Sequence, residues 1–163
     1  MKYLIGMDGG GTKTKCIITD INLNPIYETI GGPSNFLVIG IETVSETIIN
    51  LINDCTSSQK ISADDIEAIV IGTTGGGRRN DAELLEKQIS SDAKQKSLVI
   101  NKFRVESDAR IALEGAFSGK AGSILIAGTG SIMFGKDDKS EIHRVGGFGR
   151  YIGDEGSGYR IGR

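Results

Sequence analysis

Four groups of polar residues in this sequence lie beside glycines or at the ends of apolar runs, where they could reach a ligand. The first is Asp8 with Gly9–Lys13, in which three glycines precede a threonine and a lysine. Because glycine has no Cβ and adopts backbone angles closed to other residues, such a turn can direct several N–H groups at one anion. This pattern indicates phosphate binding, with Asp8 placed to hold a hydrated Mg²⁺. A glycine-rich hairpin without a ligand is the alternative.

The second and third groups also lie at predicted strand ends. Gly128–Ser131 is another glycine turn between two apolar runs, and two such turns on either side of a hinge could grip a polyphosphate. Two unrelated hairpins remain the alternative. Asp108 ends one strand and opens a helix. Aspartate is a preferred N-cap, but Ser107 could cap equally well, which would leave Asp108 to act as a base toward a substrate hydroxyl.

The fourth group is Asp154 with Glu155, which lies between glycines. Paired acids in this setting could bind a metal, bind sugar hydroxyls or cap the next helix. Elsewhere the sequence offers weaker candidates. The single histidine, His143, is predicted to be a surface residue, and Arg78-Arg79 is predicted to lie in a solvated loop.

The apolar pattern predicts the elements that must position these groups. Predicted strands are Tyr3–Asp8, Lys15–Asp20, Pro25–Ile30, Ile66–Gly72 and one within Ser97–Glu106, and predicted helices are Glu42–Cys55, Asp81–Ser91 and Ala109–Phe117. Adjacent strands followed by alternating helices favour a mixed sheet with helices on both faces, a ribonuclease H-like α/β arrangement. The run Ile69–Ile71 predicts a strand buried on both faces.

A small, polar stretch, Ser118–Gly122, predicts a hinge between two lobes. Residues 1–118 form the first lobe in this interpretation, and residues 119–163 open a second one with three further strands. Because few apolar residues remain to complete a second core, we expect Ser123–Arg163 to be mobile or packed against a second copy.

Composition narrows the classes of function. With 25% charged residues and a net charge of −2, the chain shows no basic surface that would favour nucleic acid. No apolar run approaches the ~20 residues that span a bilayer, and the N-terminus enters a strand directly, so a cytoplasmic protein without membrane contact is expected. The two cysteines, Cys16 and Cys55, form no metal or redox spacing.

Together these motifs resemble those of the sugar kinase, Hsp70 and actin superfamily. Asp8–Thr14 resembles its first phosphate motif, and Gly128–Ser131 resembles its second. More narrowly, the chain is similar to the N-acetylglucosamine kinase branch, the BadF/BadG/BcrA/BcrD ATPase family. The stretches that carry this similarity are Gly32–Asn35, Ser107–Ala109, Gly146–Gly149 and Gly153–Tyr159.

The resemblance implies an actin-like ATPase lobe and a role for each motif residue. Asp108 would accept the proton of the sugar hydroxyl, and Asp8 would lie near Mg²⁺. The ATP phosphates would face Gly10, Gly11, Thr12, Lys13, Gly128, Thr129, Gly130 and Ser131. The amino sugar would be held by Asn35, Ser131, Gly147 and Asp154.

The leading hypothesis is therefore ATP-dependent phosphorylation of an amino sugar, N-acetylglucosamine or glucosamine. An ATPase that drives conformational change in a partner and a non-catalytic sugar-binding module are the alternatives. The chain departs from the family pattern at Phe36-Leu37 and Phe148, where the better-matched kinases often carry Trp, and Cys16 and Cys55 do not match the activators' iron–sulfur ligands. Family members are longer, so an N-terminal fragment is expected, and a homodimer is left open.

Overall fold

The computed structural model describes residues 1–149 and 151–163. Within them the chain forms two compact units, Met1–Asp108 and Ala109–Arg163. The lobe boundary expected between residues 118 and 119 lies ten residues beyond this division and stays a prediction.

The first unit is a mixed α/β fold, as predicted. It contains β1 (Tyr3–Gly9), β2 (Thr14–Asp20), β3 (Pro25–Gly31), α1 (Phe36–Ile39), α2 (Ile41–Ser58), β4 (Ile66–Thr73), α3 (Arg79–Gln95) and β5 (Phe103–Glu106). The strands form one sheet in the order β3-β2-β1-β4-β5. Neighbours among β1, β2 and β3 are antiparallel, whereas β4 runs parallel to β1 and β5 runs parallel to β4.

One face of this sheet forms the core. Ile5 pairs with Ile18 on one side and with Ile69 on the other, and all three side chains are buried. Helices α2 and α3 contact each other and cover this face, to which α2 contributes the buried Val44 and Ile48. Because each fully buried aliphatic side chain contributes about 1.5–3 kcal/mol, this layer fixes the strands and therefore the loops at their ends.

The opposite face of β4 differs from the sequence prediction. Ile69 and Ile71 are buried, but Val70 between them is 39% exposed. The prediction of a strand buried on both faces was therefore wrong at Val70. The reason is that α2 and α3 lie on the same side, while alternation along a strand directs Val70 to the other side. A helix on that second face stays a prediction.

The fold brings the two cysteines together, which their sequence spacing did not indicate. Cys16 on β2 and Cys55 on α2 are both fully buried, and their Sγ atoms lie 3.4 Å apart. The hydrogen bond with Cys55, together with burial, raises the pKa of Cys16 far above that of an ordinary thiol. Both thiols are free and lie inside the core of the first unit.

The functional loops of the first unit follow from strand direction. Gly9 at the end of β1 pairs with Thr73 at the end of β4, and Gly72 pairs with Glu106 at the end of β5. In open α/β sheets, ligands bind beyond the carboxyl ends of parallel strands. The first glycine turn, the loop after β4 and Asp108 all follow strands that end at this edge.

Helix α4 (Asp108–Phe117) begins at the boundary between the units, and all its residues after Asp108 belong to the second unit. The other elements of the second unit are β6 (Gly122–Ala127), β7 (Ser131–Lys136), β8 (Ile142–Gly146) and α5 (Gly158–Ile161). The three strands form an antiparallel sheet in the order β6-β7-β8. Two apolar side chains on this sheet, Leu125 and Val145, are 69% and 66% exposed. Among the described helices of both units, none is long and apolar enough to cross a bilayer.

Lys136 is a buried cation in the second unit, with a side chain only 5% exposed. Its Nζ donates to Glu114 Oε2 and to Gly119 O, both at 2.6 Å. Glu114 also pairs with Arg110 at 3.0 Å. The hydrogen bond from Lys136 lowers the pKa of Glu114 below its usual value of 4.5. This arrangement ties β7 to α4 and to the turn after it.

We expect Lys136→Met to destabilise the chain by about 1–3 kcal/mol, because it leaves a buried carbonyl and a carboxylate without their donor. Glu114 has a lowered pKa in the folded chain, so its contribution is present above pH 4.5 and is lost as the pH falls below that value. The variant should therefore be less stable than the parent at pH 7, and this difference in the free energy of unfolding should be smaller at pH 3.5. Urea unfolding at pH 7 and pH 3.5 measures both effects. Lys139→Met, at an exposed position of the next turn, is the control; equal effects of the two variants would contradict the assignment.

Candidate active site

The first glycine turn lines an open cleft of about 360 Å³. The lining residues are Asp8, Gly10, Thr12, Lys13, Lys15 and Ile30. Asp8 is exposed at the end of β1, as are Gly11, Thr12 and Lys13 in the turn. The N–H of Gly10 donates to Lys13 O at 2.9 Å and closes the turn. The N–H of Gly10 is therefore used within the turn, and the phosphate contacts predicted for Gly11, Thr12 and Lys13 stay a prediction.

Ser34 braces this turn from the segment after β3. Its N–H donates to Gly10 O at 3.0 Å, and its buried hydroxyl lies 3.0 Å from Thr73 Oγ1. The packing is close, because a Cβ on Gly9 would lie 2.0 Å from Ser34 Oγ. Thr73 in turn donates to Ser34 O at 2.7 Å. The ends of β1 and β4 and the segment after β3 are thus joined around Gly9.

Asn35, the predicted sugar ligand, follows Ser34 and immediately precedes α1. Its Oδ1 atom is buried and accepts no hydrogen bond from any residue that the structure describes. A Cβ on Gly75 would lie 3.4 Å from this oxygen, which places Asn35 against the loop after β4. Buried polar atoms without a partner are few in proteins, and they concentrate where a ligand or water completes the structure.

Asp108, the predicted base, is exposed as the first residue of α4. Thr74, in the loop after β4, donates its hydroxyl to Asp108 Oδ2 at 3.2 Å. The same loop therefore borders Asn35 at Gly75 and contacts Asp108 at Thr74. Asn35 and Asp108 therefore both border the loop after β4, and their roles as substrate ligand and base stay predictions.

The strand that leads to Asp108 is held by a network that sequence reasoning missed. The prediction of a solvated loop was wrong at Arg79, which is the first residue of α3, pairs with Glu83 and Glu86 and donates to Val105 O at 3.2 Å. Glu86 accepts the N–H of Val105 at 2.8 Å. The hydrogen bond to Glu86 is the main cause of a raised pKa for Arg79. Because β5 is an edge strand, these side chains satisfy backbone groups that no neighbouring strand pairs.

In the second unit, the turn Gly128–Ser131 is joined to the acidic motif. Gly158 N donates to Gly128 O at 2.7 Å, and Ser131 Oγ donates to Glu155 O at 2.7 Å. A Cβ on Gly130 would lie 3.0 Å from Asp154 Oδ2, so the carboxylate rests against the turn. This spacing explains a glycine at position 130 and places two predicted ligand motifs side by side.

Two residues near this turn have backbone conformations that bear on their predicted roles. Asp154 is only 8% exposed and has a φ of 61°, a strained angle for a residue with a side chain. Gly147 has a φ of 69°, and a Cβ there would lie 2.5 Å from Ile132 Cδ1. Residues in sparsely populated backbone conformations cluster at functional sites, but the contact of Asp154 with substrate stays a prediction.

The remaining candidates lie at the surface of the second unit. His143 pairs with Asp137 at 3.1 Å and is 59% exposed, and this contact lowers the pKa of Asp137. Phe148, which stands where Trp was noted in the resemblance, is 66% exposed and lies under the guanidinium of Arg144, with 5.8 Å between Cζ and the ring centre. His143 is therefore a surface residue, as predicted.

Known proteins that are similar to this chain include amino-sugar kinases. An N-acetylmuramic acid/N-acetylglucosamine kinase from Clostridium acetobutylicum is 40% identical over 162 residues, covering 99% of this chain and 51% of the relative. An N-acetyl-D-glucosamine kinase from Dictyostelium discoideum is 32% identical, covering 99% of this chain and 52% of the relative. A Chromobacterium violaceum structure, solved as a candidate N-acetylglucosamine kinase, superposes with a TM-score of 0.73 at 27% identity, over 99% of this chain and 54% of that one.

This chain thus spans about half the length of the curated relatives that it matches. The matched half contains both glycine turns, Asp108 and the acidic motif. Residues 5–163 match the profile of the BadF/BadG/BcrA/BcrD ATPase family, which is nearly the whole chain. The chain belongs to the BadF/BadG/BcrA/BcrD ATPase family.

Proposed function

We propose that the protein transfers the γ-phosphoryl group of ATP to a hydroxyl of an amino sugar, N-acetylglucosamine or glucosamine. The observation that carries the proposal is the position of Asp108, an exposed carboxylate at the sheet edge where the glycine turn also lies. The kinase names of relatives at 40% and 32% identity support it. Catalysis in phosphoryl transfer is mostly positioning and charge stabilisation, for which a rigid sheet edge is suited.

The first unit provides the phosphate turn in this proposal. The backbone of Gly11, Thr12 and Lys13 contacts the ATP phosphates, and the lack of a side chain at Gly10 lets them approach. Asp8 fits a hydrated Mg²⁺, because it offers an exposed carboxylate oxygen in the cleft of this turn, and such oxygens are the ligands that Mg²⁺ prefers. When bound, Mg²⁺ would neutralise charge on the phosphates.

Asp108 accepts the proton of the sugar hydroxyl as that oxygen attacks phosphorus. Asn35 holds a neighbouring hydroxyl, because its buried Oδ1, which has no partner among the described residues, fits a site that substrate completes. In the second unit, the proposed phosphate contacts are made by Gly128, Thr129, Gly130 and Ser131. The proposed contacts with the amino sugar, which the family resemblance implies, are made by Ser131, Gly147 and Asp154.

An ATPase that activates a partner is the second candidate, because the family profile is named for ATPases. Neither Cys16 nor Cys55 is placed to serve such an activator. An activator that shares an iron–sulfur cluster with a partner needs thiolates at a surface, whereas Cys16 and Cys55 are fully buried in the core of the first unit.

A coupled assay of ADP release tests the proposal in the protein at the full length of its curated relatives. We expect release to depend on N-acetylglucosamine or glucosamine, with glucose and N-acetylmuramic acid as comparison sugars, and mass spectrometry should show a phosphorylated product. ADP release that no sugar stimulates would favour the ATPase. Sugar binding without ADP release would favour the non-catalytic module.

A further inference from the structure

Thr74 contacts two parts of the candidate active site at once. Its backbone N–H donates to Gly9 O at 3.2 Å, at the end of β1 where the phosphate turn begins. Its hydroxyl donates to Asp108 Oδ2, also at 3.2 Å. Through this residue the strand that carries the phosphate turn is connected to the carboxylate proposed as the base.

The backbone on both sides of Thr74 is held firmly. Thr73 is buried and donates to Ser34 O, while Gly76 N donates to Thr73 O at 3.0 Å. A Cβ on Gly76 would lie 2.5 Å from Glu106 O, so the loop rests directly on the end of β5. Because this backbone is held in place, the hydroxyl of Thr74 approaches Asp108 from a defined direction.

We infer that Thr74 is a positioning residue that orients the Asp108 carboxylate for proton abstraction, an inference that rests on the proposed function. Each contact that a carboxylate makes narrows the range of orientations that its two oxygens can take. The hydrogen bond from Thr74 narrows the positions of Oδ2 relative to Gly9, to which the backbone of Thr74 is also bonded. Reaction requires a defined geometry between base and hydroxyl, so a base held in that geometry reacts faster than one that must find it.

The test compares Thr74→Val, which removes the hydroxyl at nearly constant shape, with Thr74→Ser, which keeps it. Both are measured in the protein at the full length of its relatives. We expect Thr74→Val to lower kcat about tenfold with KM for ATP and sugar unchanged. Thr74→Ser should keep most of the parent kcat, and neither change should lower the melting temperature appreciably. Thr43→Val, at an exposed position of α2, is the matched control and should leave kinetics unchanged.

A double variant separates positioning from a direct or structural role. If Thr74 acts through Asp108, adding Thr74→Val to the Asp108→Asn variant should not lower kcat any further, because the effects of contacting residues are coupled. Equal losses in both backgrounds, or no recovery in Thr74→Ser, would overturn the inference. If Asp108→Asn loses activity while Thr74→Val keeps it, only the inference on Thr74 fails. If Asp108→Asn itself keeps the parent kcat, the proposed base fails and the inference fails with it.

Discussion

Asp108→Asn is expected to lower kcat by ~10²–10⁴, the range for loss of a general base, while KM for ATP stays close to that of the parent. Asparagine has nearly the same shape as aspartate and can still accept the hydrogen bond from Thr74 Oγ1. It cannot accept the proton of the attacking hydroxyl. The measurement is steady-state kinetics with the preferred amino sugar, in the protein at the full length of its relatives.

Asp81→Asn is the matched control for this experiment. Asp81 also lies in the first turn of a helix, α3, so the two substitutions remove the same favourable interaction of a carboxylate with a helix N-terminus. Only Asp108 lies in the proposed site. A comparable fall in kcat for both variants would show that charge at a helix start, and not proton abstraction, had been measured.

The elements that the sequence predicted correctly are those set by local patterning. Alternating and helical apolar periods recur within each segment, so β1, β2, β4 and α2 could be placed to within a few residues. The short helix α1 was missed because four residues do not establish a period. The predicted burial of Val70 was wrong because burial depends on the side of the sheet on which the helices pack, which is a non-local property.

Side-chain contacts between residues distant in sequence could not be predicted for the same reason. Arg79 meets Val105 across 26 residues, and Cys16 meets Cys55 across 39. Lys136 at the end of β7 is buried because Glu114 and the carbonyl of Gly119 lie within reach, and both are distant in sequence. Asp108 could be proposed from its strand-end position, but its contact with Thr74 depends on the parallel register of β4 and β5.

The different roles of the glycines in the first glycine turn also depend on contacts that the sequence does not show, and they lead to the second prediction. In sequence its three glycines are equivalent. In the structure a Cβ on Gly9 would lie 2.0 Å from the buried Ser34 Oγ and 3.2 Å from Gly72 O, whereas a Cβ on Gly10 would meet only Lys13 O at 3.5 Å. Glycine is therefore required at position 9 by packing. At position 10 the turn itself has room for a Cβ, so the proposed phosphate contact predicts that a side chain there affects ligand binding more than stability.

Gly9→Ala should accordingly destabilise the chain by about 1–3 kcal/mol, the usual effect of overpacking, and lower its melting temperature. Gly10→Val should leave the melting temperature nearly unchanged but weaken the binding of Mg-ADP at least ~10-fold, because the side chain occupies space that the phosphates need. Gly115→Ala is the control, since a Cβ at this helical position has no neighbour within 4 Å.

Calorimetric titration of Mg-ADP into the protein at the full length of its relatives, together with thermal unfolding of each variant, distinguishes the two glycines. The expected pattern is a loss of stability in Gly9→Ala and a loss of affinity in Gly10→Val, because Ser34 fills the space beside the first and the cleft opens beside the second. A folded Gly10→Val protein with unchanged Mg-ADP affinity would show that the turn is structural, and the proposed phosphate contacts of Gly11, Thr12 and Lys13 would lose their main support.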